Sequence, residues 1–378
     1  MKKKTLLILV GDLGSFELNR LKIALAAKKK GYIVHIIYGE KGKGCFSSLR
    51  KHKLNFKKVK MRRGFSNPLN EIITLLNLFK IFKKLRPDII HLVAIKPYLY
   101  GGIIARIIGI KAVVSAVAGL GSIFIRQDFK GKFYQCLLYP LFKIAFNHCN
   151  QRIIVQNNED KKWLIKWGVL KSSKVCLIKG SGVDLKKFKY TKENIYQQPI
   201  VTFPARLIYH KGIIEFISAA RILNEKNVKA DFWVVGDVDN ENPSSLKKKD
   251  LESFQEYKFI NFKGYQRNIK SIYTKSNIIC LPSYREGMPL SLLEAAATGR
   301  AIVTTNVPGC RDAIVPDKTG LIVPLKSIKQ LARAMNFLIK NCNIRLQMGK
   351  DGRKLAEKQF DAKIIIDEHL KIYNQLLI

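Results

Sequence analysis

The chain has 378 residues, 47 % of them hydrophobic, with 68 Lys or Arg against 28 Asp or Glu, a formal charge of +40. That composition excludes a disordered polycation and a membrane channel, and the length fits about two domains at roughly 100–200 residues each. A positive field of this size draws nucleic acid, anionic lipid or phosphorylated substrates.

Short apolar, β-branched runs alternate with helical stretches, the pattern of parallel α/β domains. Thr5–Val10 reads as a buried strand, followed by a loop over Gly11–Ser15 and an amphipathic helix over 17–30. The start MKKKTLLILVGD is not expected to be a signal peptide, because its apolar run is short and ends at Gly-Asp without a cleavage site. Strands follow at Tyr32–Tyr38 and Phe56–Val59, and Pro68–Leu85 has helical period. Ile89–Val93, Ala112–Val117, Arg152–Gln156 and Lys174–Ile178 are further strands, with a helix at Phe133–Phe146. The stretch 107–125 is apolar but holds Lys111 and three Gly, so it reads as a strand plus a loop and not as a membrane span. A polar segment without period, Asp184–Gln198, is the expected linker.

The pattern then restarts. Strands are expected at Ile200–Phe203, Asp231–Val235, Asn277–Leu281, Ala301–Thr304 and Gly320–Val323. Helices are expected at Gly212–Asn224, Pro289–Thr298, 326–340 and 343–358. The division that results is 1–190 for the first α/β domain, 191–360 for the second, and 361–378 for a terminal helix packing back on the first.

Charge is unevenly spread. Residues 1–190 hold 39 basic and 9 acidic side chains, residues 191–378 hold 29 and 19. Codon bias would inflate Lys in both halves alike, so the asymmetry points to a basic surface on the first. Lys51–Arg63 concentrates it, with eight Lys, Arg or His in thirteen positions and Leu54, Phe56 and Val59 between them. This segment is expected near an anionic membrane surface; a solvated strand and loop is the alternative. Nucleic acid is not the expected partner, since no helix-turn-helix or aromatic-basic ribonucleoprotein motif is present. Seven Cys without C-x-x-C spacing suit a reducing cytosol, and six scattered His give no metal-ligand spacing.

The chemistry concentrates in Leu281–Ile314. A strand ends, Glu286-Gly287 follows, Pro289 suits a first helical position, and Gly299 suits a left-handed helix end. Backbone amides of Gly287, Met288 and Leu290, beside Pro289, would make an anion site at the helix start. Glu294 lies inside the helix, about 7–8 Å along the axis at about 1.5 Å per residue, so two carboxylates could touch different parts of one elongated ligand. A second segment, Phe203-Pro-Ala-Arg-Leu-Ile-Tyr-His-Lys-Gly212, also joins a strand to a helix. Arg206 and Lys211 could reach back over that loop to one diphosphate, while His210 reads as a solvated loop residue. The loop at Gly11–Ser15 offers Gly14 for close approach of backbone to a phosphate, but it is not G-x-G-x-x-G and does not support a dinucleotide cofactor. Lys96 follows the strand Ile89–Val93 and precedes Pro97, on an expected loop. Diphosphate binding and simple solvation are both open for it. His91 reads as a packed strand residue.

Strand, Glu-Gly, Pro, helix, Glu, small residues and Gly in that order resemble the E-x7-E signature of glycosyltransferase family 4. These are retaining nucleotide-sugar transferases with the GT-B fold, two Rossmann-like α/β/α domains facing across a deep cleft. The resemblance implies that Glu286 meets hydroxyls of the donor sugar and Glu294 those of the ribose. It places Arg206 and Lys211 on the donor diphosphate, the Gly14 loop facing the donor phosphates, and Gly287, Met288, Pro289 and Leu290 at the donor. Catalysis then rests on Glu286, Lys211 and Arg206, with no metal and no cofactor beyond a UDP-sugar. The segments Asp88–Pro97, Gly119–Ser122, Gly180–Asp184, Asp239–Pro243 and Ser283–Gly287 are similar to those of bacterial enzymes that build polyprenyl-diphosphate-linked glycans of N-glycan, O-antigen or capsule type. Many of these carry a His in the loop matching 115–121, where this chain has Ser-Ala-Val-Ala-Gly-Leu-Gly. The resemblance implies transfer of a sugar, with an N-acetylhexosamine first in line, from a UDP-sugar to a polyprenyl-diphosphate-linked saccharide at the inner face of the cytoplasmic membrane. The alternative on the same fold is a UDP-sugar epimerase, which needs no acceptor.

Overall fold

A computed structural model of the chain describes residues 3–40, 49–62, 67–119, 129–195, 197–239, 242 and 244–378. Two compact units emerge. One comprises Met1–Ser181 and Lys363–Ile378, the other Gly182–Ala362.

The first unit runs β1 (Thr5–Asp12), α1 (Leu13–Asn19), α2 (Leu21–Lys29), β2 (Ile33–Glu40), β3 (Asn55–Lys58), α3 (Pro68–Leu85), β4 (Ile89–Val93), α4 (Ile95–Ile108), β5 (Ala112–Val117), α5 (Phe129–Ala145), β6 (Gln151–Val155), α6 (Asn158–Lys166) and β7 (Val175–Leu177). Its seven strands are parallel in the order β3-β2-β1-β4-β5-β6-β7. The continuous apolar run of β1 follows from burial on both sides of the sheet. Alternation along the strand sends Leu7 and Leu9 into one cluster with α3, α4 and α5, and Leu6, Ile8 and Val10 into another with α2. The chain's terminal helix, Ala362–Leu376, supplies Ile365, Leu370, Tyr373 and Leu376 to that second cluster.

Three local expectations are corrected in this unit. No loop follows β1: the strand runs to Asp12, whose carboxylate caps α1 by accepting from the Ser15 amide and hydroxyl at 2.8 Å each. Gly14 is therefore in the first helical turn. The helix expected over 17–30 is two helices broken at Arg20, a buried residue that donates to Asn19 O and Ser181 Oγ. Lys96 is not on a loop but opens α4, which the sequence pattern did not show. Pro97 is tolerated there because a first-turn amide has no intrahelical partner to lose.

The second unit contains β8 (Ile200–Pro204), α7 (Ile213–Glu225), β9 (Asp231–Val235), α8 (Lys248–Gln255), β10 (Ile260–Gly264), α9 (Ile269–Lys275), β11 (Ile278–Leu281), α10 (Leu290–Thr298), β12 (Ala301–Thr305), β13 (Gly320–Val323), α11 (Ile328–Lys340) and α12 (Cys342–Leu355). The terminal helix of the first unit is α13. Six parallel strands take the order β10-β9-β8-β11-β12-β13. The direction of winding reverses between β8 and β11, the place where open α/β sheets bind ligands at their carboxyl ends. Residues 184–195 are not a loose linker. Phe188 enters this unit's core, and Glu193 forms a buried ion pair with Arg345 at 2.5 Å.

Candidate active site

Two loops leave the carboxyl ends of β8 and β11 and meet at the reversal point. After β8 the chain makes a single 3-10 turn, Tyr209–Lys211, then Gly212 at φ +80° starts α7. A Cβ on Gly212 would stand 2.7 Å from the Pro282 carbonyl carbon. Only glycine allows this approach, and it brings the loops into backbone contact. The Tyr284 amide then donates to His210 O at 2.9 Å.

Through this contact Lys211 reaches Glu286. Lys211 Nζ pairs with Glu286 Oε1, which also accepts from Ser283 Oγ at 2.7 Å. Both partners are largely buried, with side-chain exposures of 20 % and 12 %. The carboxylate is further fixed from behind. Gly309 at φ +77° sits against the carbonyls of Glu286 and Gly287, closer than any side chain would permit, and the Glu286 amide donates to Pro308 O at 3.3 Å. Cys310 lies beside the pair, and burial first, then the Glu286 charge, pushes its thiol up to about 12.

Helix α10 starts immediately after. Pro289 is its N-cap, one place earlier than expected, and no side chain caps the first turn. Those amides, with the dipole of nine residues behind them, face outward as an anion-binding end. Gly287, Met288 and Pro289 are buried and Leu290 is half-buried. Glu294, one turn on, bonds the hydroxyl of buried Tyr273; burial and this carboxylate raise the phenol well above its ordinary range.

Arg206 stands apart from this pair. It is half exposed and paired with Asp239 on the segment after β9, so the two cations expected on one diphosphate are each held by a different carboxylate. The Asp239–Pro243 segment lies only partly within the described residues, as does Gly119–Ser122. Ser283 and Tyr284 in the segment Ser283–Gly287, and Asp239 in Asp239–Pro243, carried the resemblance without a role of their own, and Glu215 was passed over. Tyr284 donates to Glu215 Oε1 at 2.6 Å and lies under Lys326 Nζ at 5.0 Å. A Ser three residues before Glu286 was the available sign of the first of these. Nothing short of the fold links residues 215 and 284.

In the first unit Gly14 and Lys96 follow β1 and β4, which flank the reversal point of that sheet. Lys96 is buried and its charge is already met: Nζ contacts both Glu71 oxygens at 2.7 and 2.9 Å, and Tyr100 donates to Glu71 Oε2 at 2.7 Å. It ties α3 to α4. His91, as read, is packed in β4, where its Nδ1 meets the Tyr373 hydroxyl.

Residues 184–355 match the family described as Glycosyl transferases group 1, and residues 7–157 the family Glycosyl transferase 4-like. The chain is 34 % identical over 324 residues to N,N'-diacetylbacillosaminyl-diphospho-undecaprenol alpha-1,3-N-acetylgalactosaminyltransferase of Campylobacter jejuni, covering 82 % of this chain and 83 % of that one. The chain belongs to the group 1 glycosyltransferases. A second relative in that family is UDP-Gal:alpha-D-GlcNAc-diphosphoundecaprenol alpha-1,3-galactosyltransferase of Escherichia coli, 30 % identical over 78 % of this chain and 80 % of that one. Among solved structures, Anabaena Alr3699/HepE in complex with UDP and glucose superposes with a TM-score of 0.80 at 16 % identity, covering 99 % of this chain and 100 % of that one. This likeness establishes the fold as GT-B. Both relatives are named as transferases and neither as an epimerase.

Proposed function

We propose that this glycosyltransferase moves an N-acetylhexosamine, with retention, from a UDP-sugar to a saccharide carried on a polyprenyl diphosphate. The observation that carries this is the Lys211–Glu286 pair at the carboxyl ends of β8 and β11, beside the uncapped start of α10. The donor's diphosphate lies against that helix start, with Lys211 and Arg206 exchanging their carboxylate partners for phosphate oxygens. Glu286 holds sugar hydroxyls, and Glu294, steadied by Tyr273, reaches the ribose.

In the reaction the bond from the anomeric carbon to the β-phosphate oxygen breaks and one from that carbon to the acceptor oxygen forms on the same face. The acceptor's proton passes to the departing phosphate. Negative charge grows on that phosphate, so fixed cations and amides aimed there stabilise the transition state more than the ground state. This reading assigns the charge-stabilising work to protein groups and needs no metal. The acceptor class follows from the names of the two relatives, each of which acts on an undecaprenyl-diphosphate-linked sugar. An acceptor of that kind, together with the basic first half, favours work at the inner face of the cytoplasmic membrane. Among the described residues no helix is long and apolar enough to cross a membrane. In the segment 51–62 every Lys and Arg is exposed, while Arg63 lies outside the described residues.

The test is purified protein with a panel of UDP- and GDP-sugars, with and without undecaprenyl-diphosphate saccharides, read by nucleotide release and product mass. Release of UDP that depends on the acceptor, with one added N-acetylhexosamine in the product, is expected. A sugar interconverted without acceptor, or transfer from GDP-sugars alone, overturns the reading.

A further inference from the structure

Helices α3, α4 and α5 form one layer over the first unit's sheet, sharing a core of Leu78, Phe82, Tyr98, Leu99, Leu138 and Phe142. Their outer side is unusual for a solvated layer. On α3, Leu69, Ile72, Ile73 and Leu76 are exposed at helical spacing on one face, which continues C-terminally as Lys80 and Lys83. On α5 the same holds for Phe133, Leu137, Leu141 and Ile144, flanked by exposed Lys132 and Lys143. Leu76 and Leu137 are 55 % and 59 % exposed. Helices apolar on both sides are buried or meet a non-aqueous phase, and contiguous patches of this kind mark interaction sites.

Charge selects the occupant. The three helices hold eight Lys or Arg and one acid, Glu71, and that acid is turned inward onto Lys96 and Tyr100. The outer face is therefore cationic and apolar together, the composition of helices that lie in a lipid interface. A second copy of the same face would oppose lysine to lysine. The basic segment joins this layer: Thr74 of α3 donates to Lys60 O at 2.5 Å, and Val59 and Met61 enter the layer's core.

The geometry points to the outer face of α3 and α5 as a docking surface for an anionic lipid bilayer, with the apolar stripes at the acyl boundary and the lysines among the headgroups. Each lysine near such a surface strengthens binding about fivefold. The inference rests on the lipid-linked acceptor proposed above, and names where the protein meets the membrane that carries it.

The test uses the full chain and vesicles of phosphatidylcholine with about one-third phosphatidylglycerol, beside vesicles of phosphatidylcholine alone. The parent is retained on the anionic vesicles at low salt. The pairs Ile72→Ser/Leu76→Ser and Phe133→Ser/Leu137→Ser, exposed and so foldable, each lower retention at least about tenfold, with melting and transfer to a short-chain, water-soluble prenyl-diphosphate saccharide unchanged. A Leu137→Trp variant shifts its emission to the blue on anionic vesicles. Equal retention of the serine pairs, no retention of the parent, or a parent dimer in solution that the serine pairs dissociate overturns the inference. Absence of transfer to the soluble acceptor by the parent counts instead against the acceptor reading, and leaves vesicle retention as a separate result.

Discussion

At the scale of single residues, the feature that organises the site is one oxygen. Glu286 Oε1 is held by Lys211 and Ser283 together, and the backbone on either side of Glu286 is fixed by Pro308 and Gly309. A carboxylate so constrained is aimed before any ligand arrives, and Ser283 and the flanking backbone hold it independently of Lys211. Removing either member should cost more than one contact. Glu286→Ala and Lys211→Ala are each expected to lower turnover about 10²-fold or more, measured as UDP release at saturating donor with the circular dichroism spectrum intact. Near-parental rates in either variant would remove these residues from the mechanism. The pairing also explains why sequence spacing placed Arg206 and Lys211 on one ligand while the fold gives each a separate carboxylate. Spacing shows which loop a cation is on; which anion holds it depends on side chains dozens of residues away.

Elements carry the next level. The loops after β8 and β11 meet because Gly212 has no Cβ and adopts φ +80°. Gly212→Ala should destabilise the protein by roughly 2–5 kcal/mol, combining about 1–2 for an L residue in the left-handed region with about 1–3 for overpacking. It should also separate Lys211 from Glu286, so turnover falls further than stability alone explains. Urea unfolding and initial rates on the same preparation test both. At this scale the sequence was most readable where burial is simplest. Ile89–Val93, Ala112–Val117 and Asp231–Val235 are strands with the expected bounds, because parallel strands flanked on both sides are predominantly apolar, and the edge strand Gly320–Val323 has its expected bounds too. Pro68–Leu85 also has its expected bounds, with Asn67 as N-cap. Helix α4 was invisible because it is packed on nearly every side and so has no polar stripe. Its Gly101 and Gly102 look like breakers but permit close approach to Leu92 and to the Ala145 backbone. The misplacement of Lys96 follows directly from missing that helix. Glu286, Gly287 and Pro289 were legible because their order encodes a strand, a turn and a helix start; Tyr284 with Glu215 was not, since no local pattern links them.

For the whole molecule, acid is expected to act on the first unit through two buried histidines. His91 on β4 stacks on His369 of α13 with centroids 5.6 Å apart, and both lie near buried Arg20 of the α1–α2 break and Tyr373. Burial, followed by the Arg20 charge, holds His369 down to about 3 and His91 well below 6.5. Unfolded, each would titrate near 6.5, so below that pH the unfolded chain binds protons the fold refuses. Stability is therefore full above about pH 6.5 and falls with acidification, by up to about 1.4 kcal/mol per pH unit for each histidine. Urea midpoints across this window should show a shallower slope for His369→Gln than for the parent; parallel slopes would locate acid sensitivity elsewhere.

The return of α13 to the first unit has a consequence for synthesis on the ribosome. Residues Gly182–Ala362 form a complete unit whose ends lie side by side, with the Val183 amide bonded to Phe360 O and the Ala362 amide to Val183 O. That unit can close as soon as its own residues have emerged. The unit encoded before it cannot: the cluster that holds Leu6, Ile8 and Val10 is completed by Ile365, Tyr373 and Leu376, on a helix made after the second unit. The order of translation is thus opposite to the order of completion, and a nascent chain stalled before residue 363 would present a sheet face covered only in part, by α1 and α2, to whatever chaperone meets it.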